Sequence, residues 1–170
     1  MEAVIPAVGS NVEEHFARAY GLQKERKFED ALTEYGRVIE ADPHHYQSYV
    51  NLSFIHRQLG RYDKAIADLN RAIALRPDCA DYFYHRACVF VLLKDYDRGL
   101  ADLDRAIFAR RNYADAYYVR GQIWQLNKEP VKALKDYRSF LKLAQNAEDP
   151  NVRQRVGEVR QKIEQMPAFK

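Results

Sequence analysis

Gly60-Arg61-Tyr62-Asp63-Lys64-Ala65-Ile66 returns 34 residues later as Lys94-Asp95-Tyr96-Asp97-Arg98-Gly99-Leu100. The same step carries Ala72-Ile73 onto Ala106-Ile107 and Pro43 onto Pro77. It joins Tyr49, Phe83 and Tyr117 into one set, and Ala31, Ala65, Gly99 and Ala133 into another. Self-similarity at a fixed period of this length is the mark of a solenoid. One unit cannot bury its own apolar face, so neighbouring units stack and share a core. A chain built this way usually works by presenting a surface rather than by doing chemistry.

Within one period, Tyr49, Leu52, Ser53, His56 and Leu59 recur at helical spacing. Gly60 closes that run, because glycine accepts a positive φ without steric cost. The spacing predicts a second helix from Tyr62 to Leu75, with Ala65, Ile66, Leu69, Ala72 and Ile73 on one face. Pro77 stops it, since proline disfavours helix in the residue before it. Each unit is therefore a helical hairpin. Ala19, Ser53, Ala87 and Gly121 share one repeat position, where two helices must approach closely. Tyr35, Leu69, Leu103 and Tyr137 share another and fill the space beside them, as packing to interior density requires.

These residues resemble the tetratricopeptide repeat family, whose pattern is W-x2-L-G-x2-Y, then A-x3-F, then P. The second unit offers Tyr49-x2-Leu52-Ser53-x2-His56, then Ala65-x3-Leu69, then Pro77. The fourth offers Tyr117-x2-Arg120-Gly121-x2-Trp124, then Ala133-x3-Tyr137. The resemblance implies an all-α, right-handed superhelical solenoid of four hairpins over 12–147, with repeats 12–45, 46–79, 80–113 and 114–147. Residues 1–11 read as a flexible lead. Asp149-Pro150 opens a last helix within 148–170, with Val152, Val156, Val159, Ile163 and Met166 in one stripe and Arg153, Arg155, Lys162 and Glu164 largely off it. It reads as the capping helix that solenoids need.

Departures from the family carry their own expectations. Arg18, Arg86 and Arg120 stand where the second unit has Leu52, and Glu34, Asp68, Asp102 and Asp136 recur in step on the second helices. Some of these arginines and acids should pair between helices, because a half-buried guanidinium needs a partner. Phe140 replaces the small Ala72 and Ala106 and needs room against the last helix.

In this family the first helix of each unit lines a concave groove, and that assignment carries over one position at a time. It gives Phe16 and Tyr20 in the first unit, and Val50, Asn51, Phe54 and Arg57 in the second. The third contributes Tyr84, His85, Cys88 and Val91, and the fourth Tyr118, Gln122 and Gln125. An apolar, aromatic stripe with a polar rim suits an amphipathic helix or an extended peptide with apolar anchors. Glu13, Asp81 and Asp115 lie at groove positions too and would favour some positive charge on that segment. Some relatives grip an acidic chaperone tail through Lys, Asn and Arg. Those positions fall here on Phe16, Tyr20, Asn51, Asp81 and His85, and only Asn51 fits.

Other functions find little footing. No GxGxxG, P-loop, HExxH or GxSxG sequence is present. His15 and His56 share core positions with aromatic residues, so packing is their expected role. His44-His45 sits in a turn without further ligands at metal spacing. Cys79 and Cys88 lack a CxxC and read as reduced thiols in a cytoplasmic protein. The net charge of +3 comes from interspersed acids and bases, which speaks against nucleic acid, and no apolar run nears membrane-spanning length. The sequence thus points to a non-enzymatic scaffold or adaptor that binds another protein, without cofactor or metal. A self-assembling subunit of a larger complex and a carrier of an apolar small molecule are the alternatives.

Overall fold

The computed structural model describes residues 8–166, with side chains from Asn11 onward. The described residues form nine helices and no strand: α1 (Val8–Lys24), α2 (Phe28–Ala41), α3 (Tyr46–Gln58), α4 (Tyr62–Leu75), α5 (Ala80–Leu92), α6 (Tyr96–Ala109), α7 (Ala114–Leu126), α8 (Pro130–Ala144) and α9 (Pro150–Gln165). α4 has the bounds read from the sequence, and α8 begins on Pro130, where the missing N–H costs no intrahelical bond. α1 begins four residues ahead of Val12; the rest of the expected lead, residues 1–7, lies outside the described residues, as do 167–170. No described helix is long and apolar enough to cross a membrane.

One turn geometry recurs in all four hairpins. Arg26, Gly60, Lys94 and Lys128, each 34 residues from the next, take φ of 60°, 69°, 60° and 57°. The following N–H in each case reaches back to the carbonyl five residues earlier: Lys27 to Leu22 at 2.9 Å, Arg61 to His56 at 2.8 Å, Asp95 to Phe90 at 2.9 Å, Glu129 to Trp124 at 2.9 Å. This left-handed ending satisfies carbonyls that the first helix leaves unpaired. Only Gly60 adopts it without a steric penalty. At α9, the Asp149 carboxylate accepts from the Asn151 and Val152 N–H groups at 2.7 and 3.2 Å, the N-cap expected there.

The chain divides into two compact units, Met1–Tyr82 and Phe83–Lys170. In the first, Ala19, Ala31, Tyr35, Leu52 and Ile55 form a buried cluster, with Phe16, Leu22, Phe28 and Leu32 packed on it. In the second, Ala133, Tyr137, Phe140, Ala144 and Val159 are buried together. Val152, Val156 and Ile163 of α9, and Met166 just after it, pack against that cluster, so the whole predicted stripe is used. Phe140 is fully buried, 5.2 Å from the Tyr118 ring, in the space that α9 closes. Gly121 marks the tightest approach: a Cβ there would lie 2.8 Å from the Tyr137 ring, closer than real contacts allow.

The acids in step form a ladder whose rungs differ. Arg86 holds Asp102 through two hydrogen bonds of 2.7 Å, and Arg120 holds Asp136 in the same way. Both match the expected pairing. In the second repeat the arginine is replaced by Leu52, and His56, one turn further on, contacts Asp68 at 2.7 Å. In the first, Glu34 takes His15 at 2.6 Å, Arg37 at 2.8 Å and Arg18 at 3.8 Å. His15 and His56 are thus paired with acids rather than serving in packing alone. Burial works against the charged Arg120 side chain, but the hydrogen bonds and charges of Asp136 and Asp104 outweigh it and raise its pKa.

The two histidine rungs differ: the His15 hydrogen bond, with Arg37 and Arg18 nearby, holds Glu34 below its usual value, whereas Asp68 lies above its own. Burial raises the Asp68 carboxyl above 3.8, and the His56 hydrogen bond and the nearby His56 and Lys64 charges only partly offset this. A raised folded-state pKa means that the folded chain binds the proton more tightly than the unfolded one. The stabilising share of this group is full below the unfolded value and is lost as pH rises through the folded one. Asp68→Asn, which cannot titrate, should therefore fall behind the wild type as pH drops from 7 toward 4. Urea midpoints of both proteins across that range check this; a gap that does not widen contradicts it.

Candidate functional site

The thirteen residues assigned to the binding face behave differently in the two units. In Met1–Tyr82 they come from α1 and α3. Phe16 is half-buried, edge-on to Tyr35 at 5.7 Å and 4.8 Å from the His45 ring, so it supports the core. Tyr20 and Phe54, which share one repeat position, are 46% and 40% exposed. Val50, Asn51 and Arg57 are half-buried around them.

A buried hydroxyl ties this surface together. Tyr35 is fully buried, and its hydroxyl donates to Gln23 Oε1 at 2.8 Å. Burial pushes its pKa up; Asn51 on α3 opposes this by hydrogen bonding, and Tyr20 on α1 adds to the rise. The repeat reproduces the device at Tyr137, whose hydroxyl donates to Gln125 Oε1 at 2.8 Å and is pushed by burial to about 12. Gln125 is therefore a partner of the second helix as well as a residue of the face.

Two cations lie on the exposed rings. Lys24 Nζ stands 4.6 Å from the Tyr20 centroid, and the Arg57 guanidinium 5.5 Å from that of Phe54. Lys24 was not among the residues singled out from the sequence. Its position four residues after Tyr20, in the same helix, was the available signal.

In Phe83–Lys170 the corresponding residues are largely engaged. Tyr84 is half-buried, 5.0 Å from Tyr113 and 5.6 Å from His85. Burial, with Cys88 and Asp115 nearby, pushes its hydroxyl pKa up against the opposing charge of Arg155. Val91 turns toward α6, with a methyl 3.7 Å from the position a Cβ on Gly99 would take. Gln122 Nε2 donates to the Tyr118 hydroxyl at 3.0 Å. Cys88 is half-buried, and His85 is exposed.

α9 closes over part of this face. Arg155, read as lying off the apolar stripe, is half-buried; it donates to Asp115 at 2.6 Å and stands 5.5 Å from the Tyr118 ring. Asp115, expected to meet a positive group on a partner, is satisfied from within the chain. The open aromatic surface therefore belongs to Tyr20 and Phe54. Among the described residues no group of three or more His, Cys, Asp or Glu is placed to hold a metal ion. Cys79 and Cys88 form no disulfide.

Comparison with curated proteins gives no match. Among solved structures, MamA protein is 22% identical with a TM-score of 0.76, over 90% of this chain and 82% of its own. The first TPR of Spaghetti (RPAP3), bound to HSP90 peptide SRMEEVD, is 19% identical with a TM-score of 0.66, over 70% of this chain and 94% of its own. A Thermobaculum terrenum O-GlcNAc transferase matches 84% of this chain with 27% of its own, at 21% identity and a TM-score of 0.71. At these identities the likeness is one of fold. The family model for the tetratricopeptide repeat matches residues 16–80, 55–107 and 84–150. The chain belongs to the tetratricopeptide repeat family.

Proposed function

We propose that this chain is a non-enzymatic, cytoplasmic scaffold that binds a segment of another protein on its first-helix face, with Tyr20 and Phe54 as the contact rings. Membership of a family of protein-interaction repeats supports the general reading. The observation that carries the particular one is the exposure of two large aromatic rings, 46% and 40%, at the same position of successive repeats. Full burial of such a ring is worth roughly 1.5–3 kcal/mol, so covering the exposed share of each contributes on the order of 1 kcal/mol to a complex. Apolar side chains of an amphipathic helix or extended segment provide such a cover.

Photo-cross-linking tests the reading. A benzophenone side chain in place of Phe54 should yield a covalent adduct with another protein in cells. The same group in place of Phe108, which is 77% exposed and lies on α6, a second helix, is the control and should yield none. Adducts at position 108 alone contradict the reading.

A further inference from the structure

We infer that the segment bound by Tyr20 and Phe54 is acidic, with carboxylates that meet Lys24 and Arg57. This rests on the first-helix face being a binding surface, and it names the chemistry of the occupant. The repeat position of Tyr20 and Phe54 is held by Cys88 and Gln122 further along, so exposed aromatics at this position are confined to Met1–Tyr82. Each ring there carries a cation, at 4.6 Å for Lys24 and 5.5 Å for Arg57.

Neither cation has a carboxylate within 4.0 Å among the described residues. Other basic groups do: Arg61 meets Glu29 at 2.6 Å, Arg98 meets Asp95, and Arg155 meets Asp115 at 2.6 Å. Lys24 and Arg57 lie in last turns of their helices, where a cation also complements the helix dipole. That role needs no exposed ring beneath the charge. A cation resting on a ring face keeps N–H groups free for an anion, and the planar guanidinium of Arg57 can grip a carboxylate with two of them.

The neighbouring groups agree. Gln23 Oε1 accepts from the Tyr35 hydroxyl, and its amide N–H groups are donors beside the site. The acid at a ligand-facing position of α1 is Glu13, eleven residues before Lys24 and thus about 16 Å along the helix, beyond the screening length of ~8 Å at physiological salt. Lys24 and Arg57 thus set positive charge directly on the two exposed rings. Two exposed charge contacts should raise affinity about 2- to 30-fold, more at low salt.

The test selects a displayed random 12-residue peptide library at low salt on the wild type and on Lys24→Glu/Arg57→Glu. Wild-type selection should enrich sequences that combine aromatic or aliphatic residues with Asp and Glu. The variant should lose that acidic excess. Lys24→Gln/Arg57→Gln replaces it if charge reversal lowers helicity. Apolar peptides without an acidic excess overturn the inference and leave the binding surface standing. Peptides that still bind Tyr20→Ser/Phe54→Ser, or no enriched peptide at all, overturn the binding surface itself. A doubled mass in light scattering that these serine substitutions abolish makes a second copy of the chain the occupant, and also overturns the inference.

Discussion

Arg120→Leu lowers the stability of the fold by about 3–5 kcal/mol, the range for removing one partner of a buried ion pair. Asp136 is 2% exposed and loses both guanidinium hydrogen bonds of 2.7 Å at once. The second repeat shows that leucine itself fits, since Leu52 occupies this position and is 6% exposed. There, however, His56 takes over the acid. The corresponding position in the fourth repeat holds Trp124, whose neutral indole has one N–H donor and cannot supply a positive charge. The loss thus comes from the stranded carboxylate rather than from the shape of leucine. Arg120→Leu/Asp136→Leu, with the pair replaced by apolar groups, should lose less than the single variant. Urea unfolding followed by circular dichroism measures both; a single variant within 1 kcal/mol of wild type would contradict the account.

The fold was legible because its signals recur. Gly60 and Pro77 alone are weak evidence, but the 34-residue register places Gly60, Lys94 and Lys128 at the same turn even though only one of them is glycine. The arginine–acid rungs could also be foreseen, as the charges repeat in step with the helices. The histidine rungs could not. Their register aligned His15 and His56 with aromatic core residues, and only the absence of arginine at Leu52 leaves Asp68 to a side chain one turn later.

The candidate face was legible only in part. Repeat positions say which way a first helix points, and the Tyr20 and Phe54 rings are exposed. They do not say what the rest of the chain lays across that face. Arg155 lies 40 residues from Asp115 in sequence, and its place in an amphipathic stripe gave no hint that it would reach back. Tyr84 and Tyr118, equal candidates to Phe54 by sequence, are consequently held by Tyr113, Arg155 and Phe140. A substitution at Tyr84 would mix packing with binding, whereas Tyr20 and Phe54 offer their rings to solvent.

Tyr20→Ser/Phe54→Ser should accordingly remove partner binding with little effect on folding. Both side chains are exposed, so the stability change should stay within about 1 kcal/mol. At about 1 kcal/mol for each ring covered, losing both would weaken a complex by roughly thirtyfold. The measurement is an affinity purification with quantitative mass spectrometry, run on wild type and double variant side by side after circular dichroism has shown equal helicity. A protein captured by the wild type and lost from the variant is the result expected for a scaffold that binds through these two rings. An identical set of captured proteins from the equally folded variant would contradict it.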